Sequence, residues 1–277
     1  MNYRAVLLDL DGTLTDRAGR LTPRTRGVLE ALMARRVRIM IATGRSVSST
    51  LLALEGFVPN APMVCYNGAV LCDPATGRWI ESRTFPAVLA AGLVEEAARA
   101  ALDLFVYAGD LRYTLPSRGA EHRRLAALLP DVRGVAASGD LPREGVNRVS
   151  FMGEDAPVCA AMARLGGRYG AALYMEAFPA GIIPGFDGFA NRFCDIQPGC
   201  AGKAEGIRYL REACGIPPER VIAVGDQTND LTMLRAAGLP VAVANATPDV
   251  RAAAARTIGP HDREGVSEFL RETFGLS

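Results

Sequence analysis

The sequence contains few of the side chains that most often carry acid–base and metal chemistry. It has two histidines, His122 and His261, and six cysteines without a Cys-x-x-Cys pair. Zinc sites use cysteine and histidine at close spacings, so we expect no zinc site and regard the cysteines as reduced thiols. His122 lies in a charged stretch, residues 121–124, and is expected to be solvated. Histidine-based catalysis therefore has little support.

Long apolar runs and an excess of charge of either sign are also missing. Residues 5–8 form a short apolar run that Asp9 soon follows, whereas a secretory signal needs ~7–15 apolar residues and a membrane helix ~18. The 31 basic and 30 acidic residues leave a net charge of +1, which does not favour nucleic acid as a partner. We expect a soluble cytoplasmic protein, a monomer or homodimer, with neither a nucleic-acid nor a membrane partner.

Lysine is almost absent. Lys203 is the single lysine among the 31 basic residues, and all the others are arginine. Arginine does not replace lysine where a compact point charge is needed. The retention of one lysine makes position 203 a candidate functional residue.

Apolar periodicity predicts an α/β fold in two parts. Short buried strands alternate with helices in the first and last thirds of the chain, with strands near residues 5–10, 37–42, 63–66, 221–224 and 241–244. This alternation is typical of a Rossmann-like, doubly wound parallel sheet. The middle of the chain mixes helices and alternating strands. We predict a core formed by residues 1–83 and 191–277, interrupted by an inserted α+β cap domain, residues 84–190.

Polar motifs follow the predicted core strands. Asp9 and Asp11 lie where the first strand ends. Thr43-Gly44-Arg45 follows the second strand, Asn67-Gly68 the third, and Asp226, Asn229 and Asp230 the strand at 221–224. Ligands of open parallel sheets bind at the carboxyl ends of the strands, so these side chains should converge. Several carboxylates at one edge repel each other unless a cation is present, and oxygen ligands suit Mg²⁺.

The ordered motifs identify a family resemblance. Asp9-Leu10-Asp11-Gly12-Thr13, Thr43-Gly44-Arg45, Lys203 and the run from Gly225 to Asp230 resemble the four motifs of the haloacid dehalogenase superfamily of phosphohydrolases. Tyr66-Asn67-Gly68-Ala69 and Gly265-Val266 look like the Cof-type subgroup, which carries a large α/β cap between the second and third motifs. The resemblance implies a Mg²⁺-dependent phosphatase that acts on a small-molecule phosphate ester.

The resemblance also implies roles for individual residues. Asp9 would be the nucleophile that forms an aspartyl-phosphate, and Asp11 the general acid and base. The metal ligands would be Asp9, the backbone carbonyl of Asp11, and Asp226, with Asp230 as a neighbour or further ligand. The remaining motif residues would bind or stabilise the phosphoryl group; they are Thr43, Gly44, Arg45, Lys203 and Asn229.

Two other functions remain open at this point. A sugar phosphomutase of the same superfamily would use the same motifs, and a non-catalytic phosphate sensor would need only the binding residues. The cap is expected to set specificity and exclude water, with candidate polar side chains and hinge glycines in its sequence; they are Arg112, Arg118, Arg148, Glu176, Asp187, Gly181, Gly185 and Gly188. The physiological substrate is not predicted.

Overall fold

The computed structural model of the chain describes residues 3–117, 119–128, 132–182 and 188–276. It divides into two compact units, one formed by Met1–Glu81 with Ala201–Ser277 and the other by Ser82–Cys200. Within the described residues, no helix combines the length and the apolar composition needed to cross a membrane.

The regular elements alternate along the chain. The strands are β1 (Ala5–Leu8), β2 (Arg38–Ile41), β3 (Met63–Cys65), β4 (Val70–Cys72), β5 (Trp79–Ser82), β6 (Asp103–Ala108), β7 (Leu111–Thr114), β8 (Val132–Gly134), β9 (Val146–Gly153), β10 (Leu173–Pro179), β11 (Arg192–Pro198), β12 (Val221–Gly225), β13 (Leu239–Val243) and β14 (Arg256–Ile258). The helices are α1 (Pro23–Ala34), α2 (Val47–Ala53), α3 (Ala87–Arg99), α4 (Ala120–Leu128), α5 (Asp155–Tyr169), α6 (Glu205–Cys214), α7 (Leu231–Ala236), α8 (Pro248–Ala253) and α9 (Gly265–Phe274).

The first unit is built on a five-stranded parallel sheet with the order β14-β13-β12-β1-β2. All four residues of β1 are fully buried, as expected of a central strand covered on both faces. Helix α1 packs against α9, while α7 packs against both α6 and α8. The doubly wound core that the alternation predicts is therefore confirmed.

Local sequence signals explain the ends of two core helices. The side chain of Thr22 accepts a hydrogen bond from the backbone N–H of Thr25, and Pro23 occupies the first helical position of α1. Helix α6 ends at Gly215, whose φ of 61° lies in the left-handed region that glycine adopts without strain.

Strand β3 departs from the predicted core sheet. It pairs antiparallel with β4 in a separate three-stranded sheet, β3-β4-β5, and an isolated parallel bridge joins Val64 to Ala42 beyond the end of β2. A strand near residues 63–66 was predicted as part of the core sheet, and its pairing with β4 was not expected. Strand β4 follows β3 after only a tight turn, so β3 pairs with β4.

The second unit is a six-stranded sheet with the order β10-β11-β9-β6-β7-β8, antiparallel except for the pair β7–β8. One face is apolar, and α3 and α5 cover it through a core that includes Leu93, Phe151 and Leu165. The predicted mixture of helices and alternating strands is confirmed for this unit.

The boundary between the two units differs from the predicted one. Residues 191–200 were assigned to the core, but β11 pairs with both β9 and β10 in the second sheet, and the second unit runs to Cys200. Asp195 hid this strand in the sequence because a charged residue seldom lies inside a buried strand. It is buried against Arg148, 3.1 Å away, and accepts a hydrogen bond from Ser150. Strands β8 and β14 were not predicted either.

Three of the candidate polar residues of the middle segment lie on strands of the second sheet. Arg112, Arg148 and Glu176 lie on β7, β9 and β10. The expectation that His122 is solvated was wrong, because its side chain is buried against Phe105 and its Nε2 lies 2.9 Å from Thr114 Oγ1. Gly181 and Gly188 are described, whereas Arg118, Gly185 and Asp187 lie outside the described residues.

Glu96 joins the two helices that cover the second sheet. Its carboxylate on α3 accepts hydrogen bonds from Arg164 Nε on α5 at 2.9 Å and from Arg99 Nε at 3.0 Å. Burial alone would raise the pKa of Glu96, but the bonds from Arg99 and Arg164 outweigh it and hold the pKa below 4.5. The ionised carboxylate therefore stabilises the folded state.

Replacing Glu96 should weaken the second unit in a pH-dependent way. We expect Glu96→Gln to lower the free energy of unfolding by about 1 kcal/mol at neutral pH, because both arginines are partly exposed and solvent screens the pairs. A carboxylate whose pKa is lower in the folded state than in the unfolded state stabilises the folded state at pH values above the unfolded-state pKa. This contribution is lost as the pH falls through the folded-state pKa. The difference from the wild type should therefore shrink below pH 4.5.

Urea denaturation of both proteins at about pH 7 and about pH 3 measures this difference. Glu95→Gln is the matched control, since Glu95 is exposed on the same helix. An equal stability loss for Glu96→Gln at both pH values would contradict the ionic origin of the effect.

Candidate active site

Two adjacent strands bring the first carboxylates together. Asp9 follows β1 and Asp226 follows β12, and these strands lie side by side and parallel in register. The backbone N–H of Asp9 donates to Val224 O at 3.0 Å, which extends the pairing one residue beyond β1. Asp9 is 4% exposed and Asp226 is 3% exposed, so both acids have almost no contact with water.

Lys203 supplies the cation of this site. It lies in a short 3₁₀ turn, Gly202–Ala204, directly before α6, and the residue is 1% exposed. Its Nζ donates to Asp9 Oδ1 and to Asp230 Oδ1, both at 2.6 Å. A single ammonium nitrogen between two carboxylates needs a compact donor, which accounts for a lysine at this position.

Asp230 holds the turn that carries Asp226. Its Oδ2 accepts hydrogen bonds from the backbone N–H groups of Asp226 at 2.8 Å and Gln227 at 3.0 Å. A Cβ on Gly225 would lie 2.5 Å from the Asp230 side chain, so only glycine fits at this position. Both oxygens of Asp230 therefore accept hydrogen bonds from the protein, Oδ1 from Lys203 and Oδ2 from the backbone of the turn.

The loop after β1 supports Asp226 from the other side. Thr13 Oγ1 donates to Asp226 Oδ1 at 2.8 Å, and Gln227 Nε2 donates to Oδ2 at 3.2 Å. Gly12 has a φ of 75°, and a Cβ there would lie 2.5 Å from Asp226 Oδ2. A glycine is thus required where the loop turns next to the carboxylate.

The buried acids carry more negative charge than the lysine neutralises. Burial and the neighbouring Asp230 raise the pKa of Asp226 to about 6. Burial also raises the pKa of Asp9 well above its usual range, with Asp230 adding to the effect and Lys203 opposing it. Burial alone would lower the pKa of Lys203, but Asp230 and Asp9 outweigh it and raise that pKa. The lysine is therefore firmly protonated.

This donor set fits a divalent cation. One carboxylate oxygen from each of Asp9, Asp226 and Asp230 lies within 4.8 Å of the others. Three ionised carboxylates and one ammonium leave two negative charges uncompensated, which one divalent ion would balance. All of these donors are oxygens, as Mg²⁺ prefers.

Asp11 is paired with a different partner. Arg45 donates to its carboxylate through Nε at 2.7 Å and through Nη2 at 2.6 Å, a bidentate geometry. The side chains of Arg45 and Asp11 are 25% and 34% exposed, so the pair lies nearer to solvent than the Asp9 cluster. Sequence reasoning had singled out both residues without predicting that they bind each other.

Thr43 and Gly44 lie in the loop after β2. Thr43 is 1% exposed, and its Oγ1 accepts a hydrogen bond from the backbone N–H of Arg45 at 3.1 Å. Gly44 is close to Asn67, because a Cβ on Gly44 would lie 3.2 Å from Asn67 Oδ1. The same Asn67 oxygen accepts a hydrogen bond from Asn229 Nδ2 at 3.1 Å.

The predicted residues thus form three connected groups. Asp9, Asp226, Asp230 and Lys203 form the buried cluster, Asp11 pairs with Arg45, and Asn229 bonds to Asn67 beside Gly44. The three clustered carboxylates are those of Asp9, Asp226 and Asp230. The predicted ligand set had the backbone carbonyl of Asp11 as its third member and Asp230 as a neighbour or further ligand.

Sequence reasoning assigned no role to Thr13 or Gln227. Both lie inside motifs that had been recognised, Thr13 at the end of Asp-x-Asp-Gly-Thr and Gln227 directly after Asp226. Their proximity in sequence to Asp11 and Asp226 could have indicated that they contact the acids.

Known proteins resemble this chain over its length. The haloacid dehalogenase-like hydrolase family matches residues 6–270. A phosphoglycolate phosphatase of Methanopyrus kandleri is 31% identical over 276 residues, covering 96% of this chain and 95% of the relative. A 5-amino-6-(5-phospho-D-ribitylamino)uracil phosphatase of Bacillus subtilis is 28% identical over 275 residues, covering 98% and 97%.

A solved structure has the same fold. The haloacid dehalogenase-like hydrolase from Bacteroides thetaiotaomicron matches with a TM-score of 0.79 at 25% identity, covering 99% of this chain and 100% of that one. The family match spans nearly the whole chain, and both relatives described above are named as phosphatases. The resemblance seen in the motifs is thereby confirmed: the chain belongs to the haloacid dehalogenase-like hydrolase family and is a phosphatase.

Proposed function

We propose that the protein is a Mg²⁺-dependent phosphomonoester hydrolase that works through an aspartyl-phosphate on Asp9. The observation that carries this proposal is the environment of Asp9. Its carboxylate is buried at the end of a central strand, beside Asp226 and bonded to Lys203. A carboxylate held in one orientation next to fixed positive charge is suited to in-line attack on a phosphoryl group.

The proposed reaction has two displacements. In the first, an Asp9 oxygen forms a bond to phosphorus while the bond from phosphorus to the leaving oxygen breaks. Substrate binding would draw Arg45 away from Asp11, which can then hold a proton and give it to the leaving oxygen. In the second, Asp11 takes a proton from water as the water oxygen forms a bond to phosphorus. The bond between phosphorus and the Asp9 oxygen breaks, which releases inorganic phosphate and restores the Asp9 carboxylate. Asp11 is suited to this task because its side chain is more exposed than Asp9 and can meet the leaving group and water.

Magnesium would be held by Asp9, Asp226 and the backbone carbonyl of Asp11. Asp230 is the weaker ligand candidate, because its oxygens already accept hydrogen bonds from Lys203, Asp226 N and Gln227 N. When bound, the ion would neutralise phosphoryl oxygens and so let an anionic nucleophile approach an anionic substrate.

The other motif residues would bind the transferring group. The Lys203 ammonium, already bonded to Asp9, would also attract the phosphoryl oxygens. Because the lysine is held in place, it would not need to move during the reaction. Thr43, the Gly44 backbone and Asn229 would donate hydrogen bonds, and Arg45 would bind the substrate from its place beside Asp11.

We propose a small phosphorylated metabolite as the substrate. The two relatives described above act, by their names, on phosphoglycolate and on a phosphorylated ribitylaminouracil. These molecules share the phosphate ester and differ in the leaving group. The likeness therefore supports the phosphate monoester as the recognised chemistry and does not select the leaving group.

Replacing the nucleophile should abolish turnover. We expect Asp9→Asn to lower kcat by at least about 10³-fold, because an amide does not form the acyl phosphate. Release of p-nitrophenol from p-nitrophenyl phosphate in Mg²⁺ measures this. Asp249→Asn is the control, since Asp249 is exposed on α8. An Asp9→Asn protein with wild-type kcat would refute the covalent mechanism.

Removing one proposed metal ligand should separate metal binding from folding. Saturating Mg²⁺ should raise the Tm of the wild type by about 5 °C, because an ion that binds only the folded state stabilises it. Asp226→Asn should abolish this rise. Without metal the variant should be at least as stable as the wild type at neutral pH, because it removes one of the repelling buried charges.

Thermal unfolding followed by circular dichroism, with EDTA or with MgCl₂, gives both quantities. Asp249→Asn again serves as the control and should respond to Mg²⁺ like the wild type. An unchanged Mg²⁺ response in Asp226→Asn would refute the assignment of Asp226 as a ligand.

A further inference from the structure

The turn between β3 and β4 has an unusual backbone. Tyr66, Asn67 and Gly68 are consecutive residues with positive φ values of 51°, 48° and 100°. Left-handed conformations of residues other than glycine cost about 1–3 kcal/mol each and persist where the surroundings hold them. Tyr66 and Asn67 are almost completely buried. Contacts on several sides must therefore keep this turn in place.

One set of contacts joins the turn to the loop after β2. The backbone N–H of Tyr66 donates to Arg45 O at 2.9 Å, and that of Asn67 donates to Thr43 O at 3.1 Å. Two backbone hydrogen bonds thus join the two loops. Of the proposed phosphoryl-binding residues, Thr43 provides one of the two acceptors, and Gly44 lies between Thr43 and Arg45.

A second contact joins the turn to the backbone before Lys203. A Cβ on Gly68 would lie 2.3 Å from Gly202 O and 2.8 Å from Gly202 C, so the two backbones touch without room for a methyl group. Gly202 directly precedes Lys203 and begins its 3₁₀ turn. The backbone against which Gly68 packs therefore directly precedes the lysine whose ammonium binds Asp9 and Asp230.

A third contact reaches the turn after β12. Asn67 Oδ1 accepts a hydrogen bond from Asn229 Nδ2 at 3.1 Å, and Asn67 is 1% exposed. Asn229 directly precedes Asp230. The turn therefore contacts the segments that carry three of the proposed catalytic motifs.

We propose that Gly68 and Asn67 are positioning residues of the phosphatase. Gly68 sets the place of Lys203 through its contact with Gly202, and Asn67 sets the place of Asn229 through its side-chain oxygen. The strained turn is thereby a template that aligns the phosphoryl-binding loop, the lysine and the asparagine. This inference rests on the proposed roles of Lys203 and Asn229.

A pair of glycine variants tests the link to Lys203. Gly68 and Gly56 both have positive φ values, 100° and 80°, but a Cβ on Gly56 would meet nothing within 4 Å. Alanine at either position carries a similar backbone cost of about 1 kcal/mol, whereas only Gly68→Ala pushes on Gly202. We expect Gly68→Ala to lower kcat for p-nitrophenyl phosphate about 10–100-fold, and Gly56→Ala to change it less than about twofold.

The comparison separates the inference from the function on which it rests. Equal kcat values for Gly68→Ala and Gly56→Ala, together with a low kcat for Lys203→Met, would overturn the inference alone. A wild-type kcat for Lys203→Met would overturn the proposed role of the lysine as well. If Gly68→Ala does not fold, the asparagine variants described next decide the inference.

Asn67→Gly tests the side chain without the backbone strain. Glycine adopts positive φ freely, so this variant removes the amide while relieving the turn and should keep the Tm within a few degrees of the wild type. We expect kcat to fall about 10-fold while KM changes less than about twofold, because a positioning defect acts mainly on the transition state.

A double-mutant cycle with Asn229→Ala measures the coupling. If Asn67 acts through Asn229, the double variant should lose no more than about the larger single loss. Multiplying losses, or a kcat unchanged by Asn67→Gly, would overturn the inference. Asn67→Asp keeps an oxygen acceptor for Asn229 and should recover part of the lost kcat.

Discussion

The site depends on the two ion pairs that the Lys203 ammonium forms with Asp9 and Asp230. Removing one partner of a buried ionic cluster leaves a charge without compensation, which is strongly destabilising. The lysine is almost fully buried and lies 2.6 Å from both acids. It therefore ties the end of β1 to the turn after β12 and to the start of α6.

The rest of the site follows from that constraint and from the parallel sheet. Because β1 and β12 are neighbours, Asp9 and Asp226 arrive at the same edge without any long connection. Asp230 then fixes the turn through two backbone N–H groups, and glycines allow the loops to approach within contact distance. The remaining excess of negative charge is what a divalent cation would balance. The positions of the acids and their charge thus both favour the binding of a divalent cation at this edge of the sheet.

Much of this could be predicted because the decisive residues follow short apolar runs. Buried strands in an alternating α/β pattern must pair in parallel, so Asp9 and Asp226 could be expected at one edge. The bond between Arg45 and Asp11 could not, since pattern alone does not show which charges meet. Strand β11 was missed because Asp195 is compensated by Arg148, a partner distant in sequence. The role of Asn67 depends on positive φ values that no periodicity reveals.

A covalent bond between Asp9 and phosphorus can be observed directly. An acyl phosphate is reduced by borohydride to an alcohol, so an aspartyl-phosphate trapped by acid quench during turnover becomes homoserine. Peptide mass spectrometry then locates the reduced residue. We expect homoserine at position 9 in the presence of substrate and Mg²⁺, and unmodified aspartate without substrate. Reduction at another acid, such as Asp11 or Asp226, with position 9 unmodified would contradict it.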